Sequence, residues 1–478
     1  MSAVSTTSST LAPRPGAARI DVLDPATGEI LDAIPAGDER AADAAVRAAA
    51  AAQPGWARTS PAERSAVLKE AARRLRTTAA VEELAVLQTR ENGRPLAESR
   101  AGVEAGVGAI EQYAELGPLH RGRSLQGAWG ATDLMVHEPR GVAALLVPWN
   151  DPIAIACGQL AACLVAGNTV VLKPSEKTPL STVRLLELLD LPAGIAQPLL
   201  GDARAGRPLA AHPLVDLVVH TGSVTTGREL AATCGANLRK ALLELGGKDP
   251  LVVDAGVDPA WAAGQAAAGA FANAGQLCTS VERIYVHADV AREFTDALVA
   301  EARALRPGPG LDPASTMGPL IDERQRGIVD VHVRQAAGAG AEVLTGGKPA
   351  DGPGFFYPPT VLAGVTDELD VMRDETFGPV AAIRAVGSFD EALAAADGTV
   401  YGLAATVLTP DLEHAQRAWR ELRAGTVKVN AVWGGAPGGA GEPAGASGTG
   451  FGYGPELLDE VTRTKVVHLA PAGGRRLS

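Results

Sequence analysis

The chain has 478 residues, of which 46% are hydrophobic and 21% charged, and its formal net charge at pH 7 is -12. This length exceeds one ordinary hydrophobic core, so it predicts more than one domain. The acidic balance, without a run of Lys or Arg, argues against nucleic acid or an anionic membrane as the main partner. The composition therefore favours a small molecule as the partner.

The beginning of the chain, MSAVSTTSSTLAPRPGAA, lacks the charged start and the apolar core of a signal peptide. We expect residues 1–17 to form a disordered tail, and we expect the protein to be cytoplasmic. The most apolar region, 141–172, is interrupted by Pro, Gly, Asn and Asp residues, so it does not predict a transmembrane helix.

The cysteines are scattered and show neither a CxxC pair nor a Cys/His ligand spacing. They are Cys157, Cys163, Cys234 and Cys278. This pattern predicts reduced thiols, without a disulfide framework and without a metal site.

The first part of the chain is dominated by helical patterns. Three segments have apolar residues at helical spacing: AADAAVRAAAAAQPGW, SPAERSAVLKEAARRL and RAGVEAGVGAIEQYAELG. In the second segment, Ser60 is the predicted N-cap, Pro61 falls in the first turn and Glu63 stands at the capping-box position. The spacing then becomes strand-like in DLMVHEPRGVAALLVP.

Strands and helices alternate along the rest of the chain. The first series has strands at 169–173, 214–222 and 241–247, and helices near 179–190 and from about 224. The second has helices from Pro259 and from about Val290, and the strands VERIYVHA, AAIRAVGSF, LAATVLT and GTVKVN. Short apolar strands that alternate with helices predict two α/β domains with parallel sheets. A Gly-rich loop at 434–454 and a last strand in EVTRTKVVHL complete the chain.

Three polar residues stand where burial would be costly. Asn150 and Asp151 interrupt the apolar run VPWNDPIAIA, so either the run bends to the surface there or these groups serve chemistry. Glu244 ends an apolar strand in LLELGGKDP, where desolvation would raise its pKa toward neutral and make it a candidate base; the alternative is a capped strand end.

Cys278 lies in the polar loop FANAGQLCTS, whereas Cys157 and Cys163 have apolar neighbours typical of core thiols. It is therefore a candidate nucleophile, with a structural thiol as the alternative.

Two further places in the sequence suit the binding of a nucleotide. Gly222 and Ser223 connect a strand to a helix, where backbone N–H groups can hold a phosphate, unless this is an ordinary Ser-capped turn. Lys173 and Glu176 follow a strand at the edge where open sheets bind ligands, and the alternative is a solvated ion pair.

Several short motifs together resemble the aldehyde dehydrogenases. They are PWN at 148–150, LKPSE at 172–176, TGS at 221–223, LELGGK at 243–248, GQLC at 275–278 and ETFGPV at 375–380. The resemblance extends from about residue 20 to 470. It implies an α/β fold with a Rossmann-like cofactor domain (18–117 and 139–246), a catalytic α/β domain (247–440) and a small β extension (118–138 and 455–478) that forms a homodimer or homotetramer, because an exposed strand edge needs a partner.

The resemblance also implies oxidation of an aldehyde to a carboxylic acid. Cys278 would attack the aldehyde carbon, and the Asn150 side-chain amide and the Cys278 backbone N–H would hold the oxyanion. Hydride transfer to the nicotinamide would leave a thioester. Glu244 would then activate the water that hydrolyses the thioester.

The cofactor residues implied by the resemblance are Trp149, Lys173, Glu176, Gly222, Ser223, Leu245, Glu375 and Phe377. Lys173 and Glu176 would contact the adenosine ribose, Trp149 and Ser223 the pyrophosphate, and Glu375 and Phe377 the nicotinamide half. Glu176 favours NAD, because a carboxylate accepts hydrogen bonds from a ribose diol but repels a 2′-phosphate. NADP stays open as the alternative, since neighbouring basic groups can reverse this preference.

Two departures from the family pattern leave the aldehyde open. Asp151 stands where an aromatic residue is common. Its carboxylate would repel an anionic semialdehyde and attract an amine or hydroxyl on the substrate, unless it caps the following helix instead. The loop 434–454 replaces the usual anchor segment at the substrate entrance. Candidate substrates are a semialdehyde, as NAGQLCTSVERIYVH resembles the semialdehyde branch, an aminoaldehyde or an aromatic aldehyde. The alternative functions are a non-catalytic binding protein and a thiol esterase.

Overall fold

A computed structural model of the chain describes residues 18–435 and 438–472, so the predicted tail at 1–17 lies outside the described residues. The strands are β1 (Arg19–Leu23), β2 (Ile30–Pro35), β3 (Arg123–Leu125), β4 (Thr132–Pro139), β5 (Val142–Val147), β6 (Thr169–Pro174), β7 (Ala196–Pro198), β8 (Leu217–Thr221), β9 (Lys240–Glu244), β10 (Asp249–Val253), β11 (Val281–His287), β12 (Glu342–Thr345), β13 (Thr360–Ala363), β14 (Val380–Val386), β15 (Ala404–Leu408), β16 (Thr426–Val429), β17 (Gly448–Thr449) and β18 (Thr462–Leu469).

The helices are α1 (Glu39–Ala57), α2 (Pro61–Leu75), α3 (Thr78–Asn92), α4 (Leu96–Leu116), α5 (Pro152–Val165), α6 (Pro179–Leu189), α7 (Ala203–Ala211), α8 (Val224–Ala236), α9 (Pro259–Phe271), α10 (Ala288–Ala304), α11 (Glu323–Gly338), α12 (Asp370–Arg373), α13 (Phe389–Ala396), α14 (Leu412–Glu421) and α15 (Glu456–Glu460). None of the helices in the described part of the chain combines the length and the apolar character needed to cross a membrane.

The start of α2 follows from its sequence. The Ser60 hydroxyl accepts a hydrogen bond from the Glu63 backbone N–H at 3.2 Å, and the Glu63 carboxylate accepts one from the Ser60 backbone N–H at 2.7 Å. Pro61 occupies the first turn. The predicted capping box is therefore confirmed, and losing such a cap typically costs about 1 kcal/mol.

The first large sheet has the strand order β17-β9-β8-β5-β6-β7 and is parallel except for the β17–β9 pair. Alternate residues of β5 and β6 point into two different cores: Leu145 and Leu172 pack with α2 to α6, whereas Ala144 and Val171 pack with α1, α7 and α8. A parallel sheet covered on both faces is the predicted arrangement, and it explains why these strands read as continuous apolar runs.

The second large sheet has the order β12-β13-β14-β11-β10-β15-β16 and is parallel except for the β12–β13 pair. Its largest core gathers side chains from α9, α10, α11 and α13. The predicted α/β class is thus confirmed for both halves. Several elements were not predicted, among them the β1–β2 hairpin, α3, α7, β10, α11 and β13.

A smaller antiparallel sheet has the order β18-β4-β3 and joins the segment near 118–138 to the end of the chain. The predicted final strand is present, but α15 precedes it within the predicted 455–478 extension. The Gly-rich segment also differs from a simple loop, since it adds β17 to the edge of the first sheet next to Glu244. The exact domain boundaries stay a prediction.

Candidate active site

Cys278 lies in a tightly folded loop between a 3₁₀ turn (Ala272–Gly275) and β11. Asn273, Ala274 and Gly275 all have positive φ angles, of 48°, 55° and 71°. A Cβ atom at Gly275 would come within 2.1 Å of the backbone oxygen of Gly378, so this turn accepts only glycine there. The strained turn presents Cys278 while its backbone is held against the second sheet.

Gln276 fixes the position of this loop. Its side chain is fully buried; it donates to the carbonyls of Asn273 (3.0 Å) and Pro319 (3.2 Å) and accepts from the Ile321 backbone N–H (2.9 Å). These bonds satisfy both ends of a buried amide, which would otherwise be costly. The loop that carries Cys278 is therefore anchored two residues before the thiol.

Asn150 packs against the same loop from the first half of the protein. It lies between β5 and α5 and is only 6% exposed, and its side-chain amide donates to the Gln276 carbonyl at 3.1 Å. The Asn150 carbonyl in turn accepts from the side chains of Asn92 and Asn273, both at 3.4 Å. The polar break in the apolar run is thus explained by partners on the Cys278 loop, which the sequence could not reveal.

Glu244 ends β9 and lies close to Cys278, whose pKa it affects electrostatically. Burial raises the pKa of Glu244 to about 7, and a hydrogen bond of 2.9 Å from the Gly452 backbone N–H opposes this rise. A Cβ atom at position 452 would overlap the Glu244 side chain. The Gly-rich segment therefore contacts the candidate base directly, and the expected upward shift of the Glu244 pKa is borne out.

The environment of Cys278 does not favour a thiolate. Burial raises the thiol pKa to about 12, and the carboxyl groups of Asp249, Glu244 and Glu375 contribute to this rise. Burial also raises the pKa of the Asp249 carboxyl well above its usual value. Cys278 is nevertheless partly exposed, whereas Cys157, Cys163 and Cys234 are buried in the cores. A base is needed to activate this thiol.

Glu375 meets the segment that follows Glu244. Its carboxylate accepts a hydrogen bond from the Gly247 backbone N–H at 3.2 Å, and a Cβ atom at Gly246 would come within 2.4 Å of that carboxylate. A Cβ atom at Gly247 would lie 3.1 Å from the Cys278 carbonyl oxygen. The two glycines after Glu244 thus allow Glu375 and the Cys278 loop to approach one backbone segment.

The segment 375–377 is held by a buried ion pair that the sequence analysis missed. Glu282 accepts from the backbone N–H groups of Thr376 and Phe377, both at 2.8 Å, and forms a fully buried ion pair with Lys248. The Lys248 ammonium also donates to the Thr376 hydroxyl at 3.0 Å. In the sequence, this ion pair was indicated only by a charged residue in each of the two stretches LELGGK and SVERIYV.

The expected nucleotide residues lie together at one edge of the first sheet. Trp149 follows β5, and Gly222 and Ser223 follow β8. Lys173 lies at the end of β6, Glu176 follows that strand, and Leu245 follows β9. These four strands are neighbours in the sheet. Because these strands are parallel, their carboxyl ends meet at the edge where such sheets bind ligands.

The local contacts at this edge fit a dinucleotide. Ser223 caps α8 and its residue is exposed, so this helix N-terminus is open to an anion. The Lys173 ammonium is buried, lies 4.0 Å from the Glu176 carboxylate and donates to the Pro174 carbonyl. Trp149 contacts Phe377 edge to face, with ring centroids 5.3 Å apart. This contact joins the predicted pyrophosphate and nicotinamide sites.

Asp151 neither caps α5 nor stands as an isolated anion. It occupies the N-cap position, but its side chain makes no capping hydrogen bond, so that alternative is wrong. Instead its carboxylate pairs with the Arg94 guanidinium at 3.1 Å. Arg94 also pairs with Glu98 at 3.2 Å, and Glu98 accepts from the Asn273 backbone N–H at 3.1 Å. Asp151 is therefore linked to the Cys278 loop.

Two further side chains near Cys278 were missed by the sequence analysis. Tyr453 follows Gly452 and lies within electrostatic reach of Cys278, Glu244 and Asp151. Lys428, on β16, has its pKa lowered by burial, while Asp249 and Cys278 oppose that effect. The Lys428 ammonium donates to the Val432 carbonyl at 2.8 Å. In the sequence, Lys428 could have been singled out because it is a charged residue inside the predicted strand GTVKVN.

This chain is similar to known proteins along nearly its whole length. The model of the aldehyde dehydrogenase family matches residues 13–467. A betaine aldehyde dehydrogenase from Cereibacter sphaeroides is 37% identical over 418 residues, which cover 87% of this chain and 86% of that protein. The crystal structure of an NAD-dependent aldehyde dehydrogenase from Sinorhizobium meliloti has a TM-score of 0.92 at 33% identity, covering 96% of this chain and 93% of that one.

A second solved structure was determined with the cofactor. It is a betaine aldehyde dehydrogenase from Staphylococcus aureus in complex with NAD+, similar at a TM-score of 0.92 and 29% identity. The match covers 96% of this chain and 93% of that one.

Proposed function

This chain belongs to the aldehyde dehydrogenase family and oxidises an aldehyde with NAD, and from that premise we propose that Cys278, Asn150 and Glu244 carry the reaction. The observation that carries this assignment is their convergence: Asn150 donates to the loop of Cys278, and Glu244 lies within electrostatic reach of the thiol. Three separate segments, after β5, β9 and α9, supply these groups.

Cys278 is the proposed nucleophile and Glu244 the proposed base. With its pKa near 12 the thiol is protonated at neutral pH, whereas a Glu244 pKa of about 7 leaves a substantial carboxylate fraction that can remove a proton. The sulfur attacks the aldehyde carbon. One N–H of the Asn150 amide is bound to Gln276, and we assign the other N–H, with the Cys278 backbone N–H, to the oxyanion.

NAD, when bound, accepts the hydride that leaves the thiohemiacetal carbon. The resulting thioester on Cys278 is then hydrolysed by water that Glu244 deprotonates. Hydrolysis breaks the carbon–sulfur bond and releases the carboxylic acid and the free thiol. The hydrogen bond from Gly452 keeps the Glu244 carboxylate oriented for this second role.

We assign Lys173 and Glu176 to the adenosine ribose, and the α8 N-terminus at Gly222 and Ser223, with Trp149, to the pyrophosphate. The support is the open end of α8 and the position of all five residues at one sheet edge. The half-exposed Glu176 carboxylate would accept from a ribose diol and repel a 2′-phosphate. NAD preference over NADP is the expected outcome.

At the other end of the cofactor, we assign Glu375 to the nicotinamide ribose, and Phe377 and Leu245 to the nicotinamide ring. The Glu375 carboxylate already lies against the Gly246–Gly247 backbone, and the Phe377 ring contacts Trp149. This arrangement would bring the ring close to Cys278, whose carbonyl approaches Gly247.

For the substrate, we propose an aldehyde with an anionic or neutral polar end. Lys428 is a partly buried cation within electrostatic reach of Cys278, and Arg94 neutralises Asp151. Betaine aldehyde, after which the Cereibacter relative is named, carries a positive charge that would be repelled by Lys428. A semialdehyde suits this charge distribution better.

The first test measures NADH and NADPH formation with succinate semialdehyde, neutral aliphatic and aromatic aldehydes, and betaine aldehyde. Cys278→Ala should abolish turnover while NAD binding, followed by fluorescence, is retained. Aldehyde oxidation that survives in this variant would exclude Cys278 as the nucleophile.

Lys428→Gln tests the substrate class separately. Removing the cation should reduce the preference for succinate semialdehyde over betaine aldehyde by about tenfold, the ratio that one moderate charge interaction supplies. Lys348, which belongs to neither large sheet, provides the control variant Lys348→Gln. An unchanged ratio of kcat/KM values in Lys428→Gln would contradict the proposed substrate class.

We further propose that the β18-β4-β3 sheet pairs with a second subunit to form a homodimer or homotetramer, and that the enzyme acts in the cytoplasm. The support for assembly is the long edge strand β18, with Val466 66% and Leu469 58% exposed.

A further inference from the structure

Away from the catalytic centre, three side chains that commonly bind metals converge from three segments. His120 follows the 3₁₀ turn after α4, His137 lies on β4 and Asp459 lies on α15. Their ligand atoms all lie within 4.8 Å of one another. These residues belong to no part of the dehydrogenase site, and the cluster contains no cysteine, so the cysteine spacing gave no signal for it.

The geometry of the two imidazoles is specific. Their rings stack with centroids 4.1 Å apart and an interplanar angle of 28°. His120 Nε2 lies 2.8 Å from an Asp459 carboxylate oxygen. The His137 ring also donates a hydrogen bond to the Arg121 backbone carbonyl. A carbonyl partner of this kind commonly orients a metal-binding histidine and fixes which ring nitrogen is free.

We propose that His120, His137 and Asp459 bind one divalent transition-metal ion, for which Zn²⁺ is the fitting probe. Two imidazoles and a carboxylate form a common zinc ligand set that leaves a fourth position for water. Tetrahedral zinc would bring the ligand atoms to roughly 3.4 Å from one another, given bonds of about 2.0–2.2 Å. The Asp459 side chain is 68% exposed and can make this small adjustment.

Binding would connect parts of the molecule that are distant in sequence. His137 belongs to the β18-β4-β3 sheet, where it pairs with Thr464 on β18, whereas His120 and Asp459 belong to the segments that lead into this sheet. A metal ion held by all three would favour the conformation in which the small sheet is docked. It would raise stability in proportion to the logarithm of the free metal concentration.

The test uses the full-length chain in a Cys278→Ala background, so that the partly exposed thiol does not bind the probe. Titration with ZnCl₂ by calorimetry should give one strong site per chain. Co²⁺ should give visible absorption bands without a thiolate charge-transfer band. His137→Gln and Asp459→Asn should each weaken Zn²⁺ binding at least about tenfold.

His468→Gln is the matched control, because His468 lies on the same sheet and pairs with Asp133 at 2.7 Å but has no second histidine. It should leave Zn²⁺ affinity unchanged. The proposal is wrong if the parent binds no Zn²⁺ at 100 μM, on the order of the weak limit for a useful site, or if His137→Gln retains the parent affinity. Should His137→Gln not fold, the exposed Asp459→Asn decides. Neither substrate nor NAD is present, so the result is independent of the dehydrogenase assignment.

Discussion

At the scale of single residues, the candidate centre is defined by buried carboxyls around one thiol. Asp249, Glu244 and Glu375 all raise the pKa of Cys278, and burial raises their own pKa values. This cluster is costly unless the groups are largely protonated at rest. Of the three, Glu244 has a pKa of about 7, which leaves it poised for proton transfer near neutral pH.

The Glu244 pKa of about 7 predicts the pH dependence of turnover. Below pH 7 Glu244 is increasingly protonated and cannot act as a base, so log kcat should rise by about one per pH unit up to pH 7 and then level off. The kcat of Glu244→Gln should not show this rise between low pH and pH 7. Acylation should be slower in the variant, because the thiol also loses its base. The thioester that does form should persist, so intact-mass spectrometry should detect it on Cys278. If Glu244→Gln turns over at the wild-type rate without accumulating a thioester, the role of Glu244 as the hydrolytic base is contradicted.

The Asp151–Arg94 ion pair is expected to contribute to the free energy of unfolding. Arg94→Met would leave the largely buried Asp151 carboxylate without its partner and should lower the free energy of unfolding by about 3 kcal/mol, as for other broken buried pairs. The double variant Arg94→Met/Asp151→Asn should recover part of this loss. Strict additivity of the two single changes in urea denaturation would show that the pair is not coupled.

At the scale of elements, the ends of strands and the loops next to them form the candidate centre, while the helices pack against the faces of the sheets. The segment 375–377 illustrates this, because it has no regular structure and relies on Glu282 of β11 for two backbone hydrogen bonds. Lys248, just before β10, neutralises Glu282. One buried ion pair thus couples two strands of the second sheet to the proposed nicotinamide site.

Glu282→Gln tests this coupling. It leaves the buried Lys248 ammonium without a counter-charge and should cost about 3–5 kcal/mol of folding free energy. Because Glu375 and Phe377 lose their anchor, KM for NAD should increase more than kcat falls. Glu323→Gln is the matched control, since Glu323 pairs with Arg326 at an exposed site and should change stability by less than about 1 kcal/mol. Equal effects of both variants would refute the anchoring role.

At the scale of the whole molecule, Asn150 and Glu244 from the first half of the chain meet the Cys278 loop of the second half. The small sheet shares no strand with either large sheet. Its edge strand β18 is exposed along most of its length. An unpaired edge of this kind is an association surface unless a partner covers it. The chain is therefore expected to assemble through this sheet rather than through either of the sheets that are covered by helices.

Light scattering after gel filtration should give a mass at least twice that of one chain. The double variant Val466→Arg/Leu469→Arg should shift the protein toward the monomer, because two added charges per subunit would repel across the paired edge. Leu412→Arg is the control, since Leu412 is 75% exposed on α14, far along the chain from the small sheet. A monomeric wild-type protein would contradict this interface.

The sequence by itself determined the local features of the protein. The period of the apolar residues predicted the two α/β series, the Ser60 capping box predicted the start of α2, and six short motifs indicated the family. These signals are local, because they depend on hydrogen bonds and side-chain spacing within a few residues. For the same reason, the sequence correctly separated Cys278 from the core cysteines.

Only the tertiary structure decided how distant residues meet. The Arg94 partner of Asp151 lies 57 positions away along the chain, Glu244 receives its hydrogen bond from the Gly-rich segment, and Glu282 holds residues 376 and 377. Such contacts depend on strand order and loop paths, which side-chain periodicity does not encode. The sequence therefore indicated the proposed reacting groups, whereas the fold decided their partners.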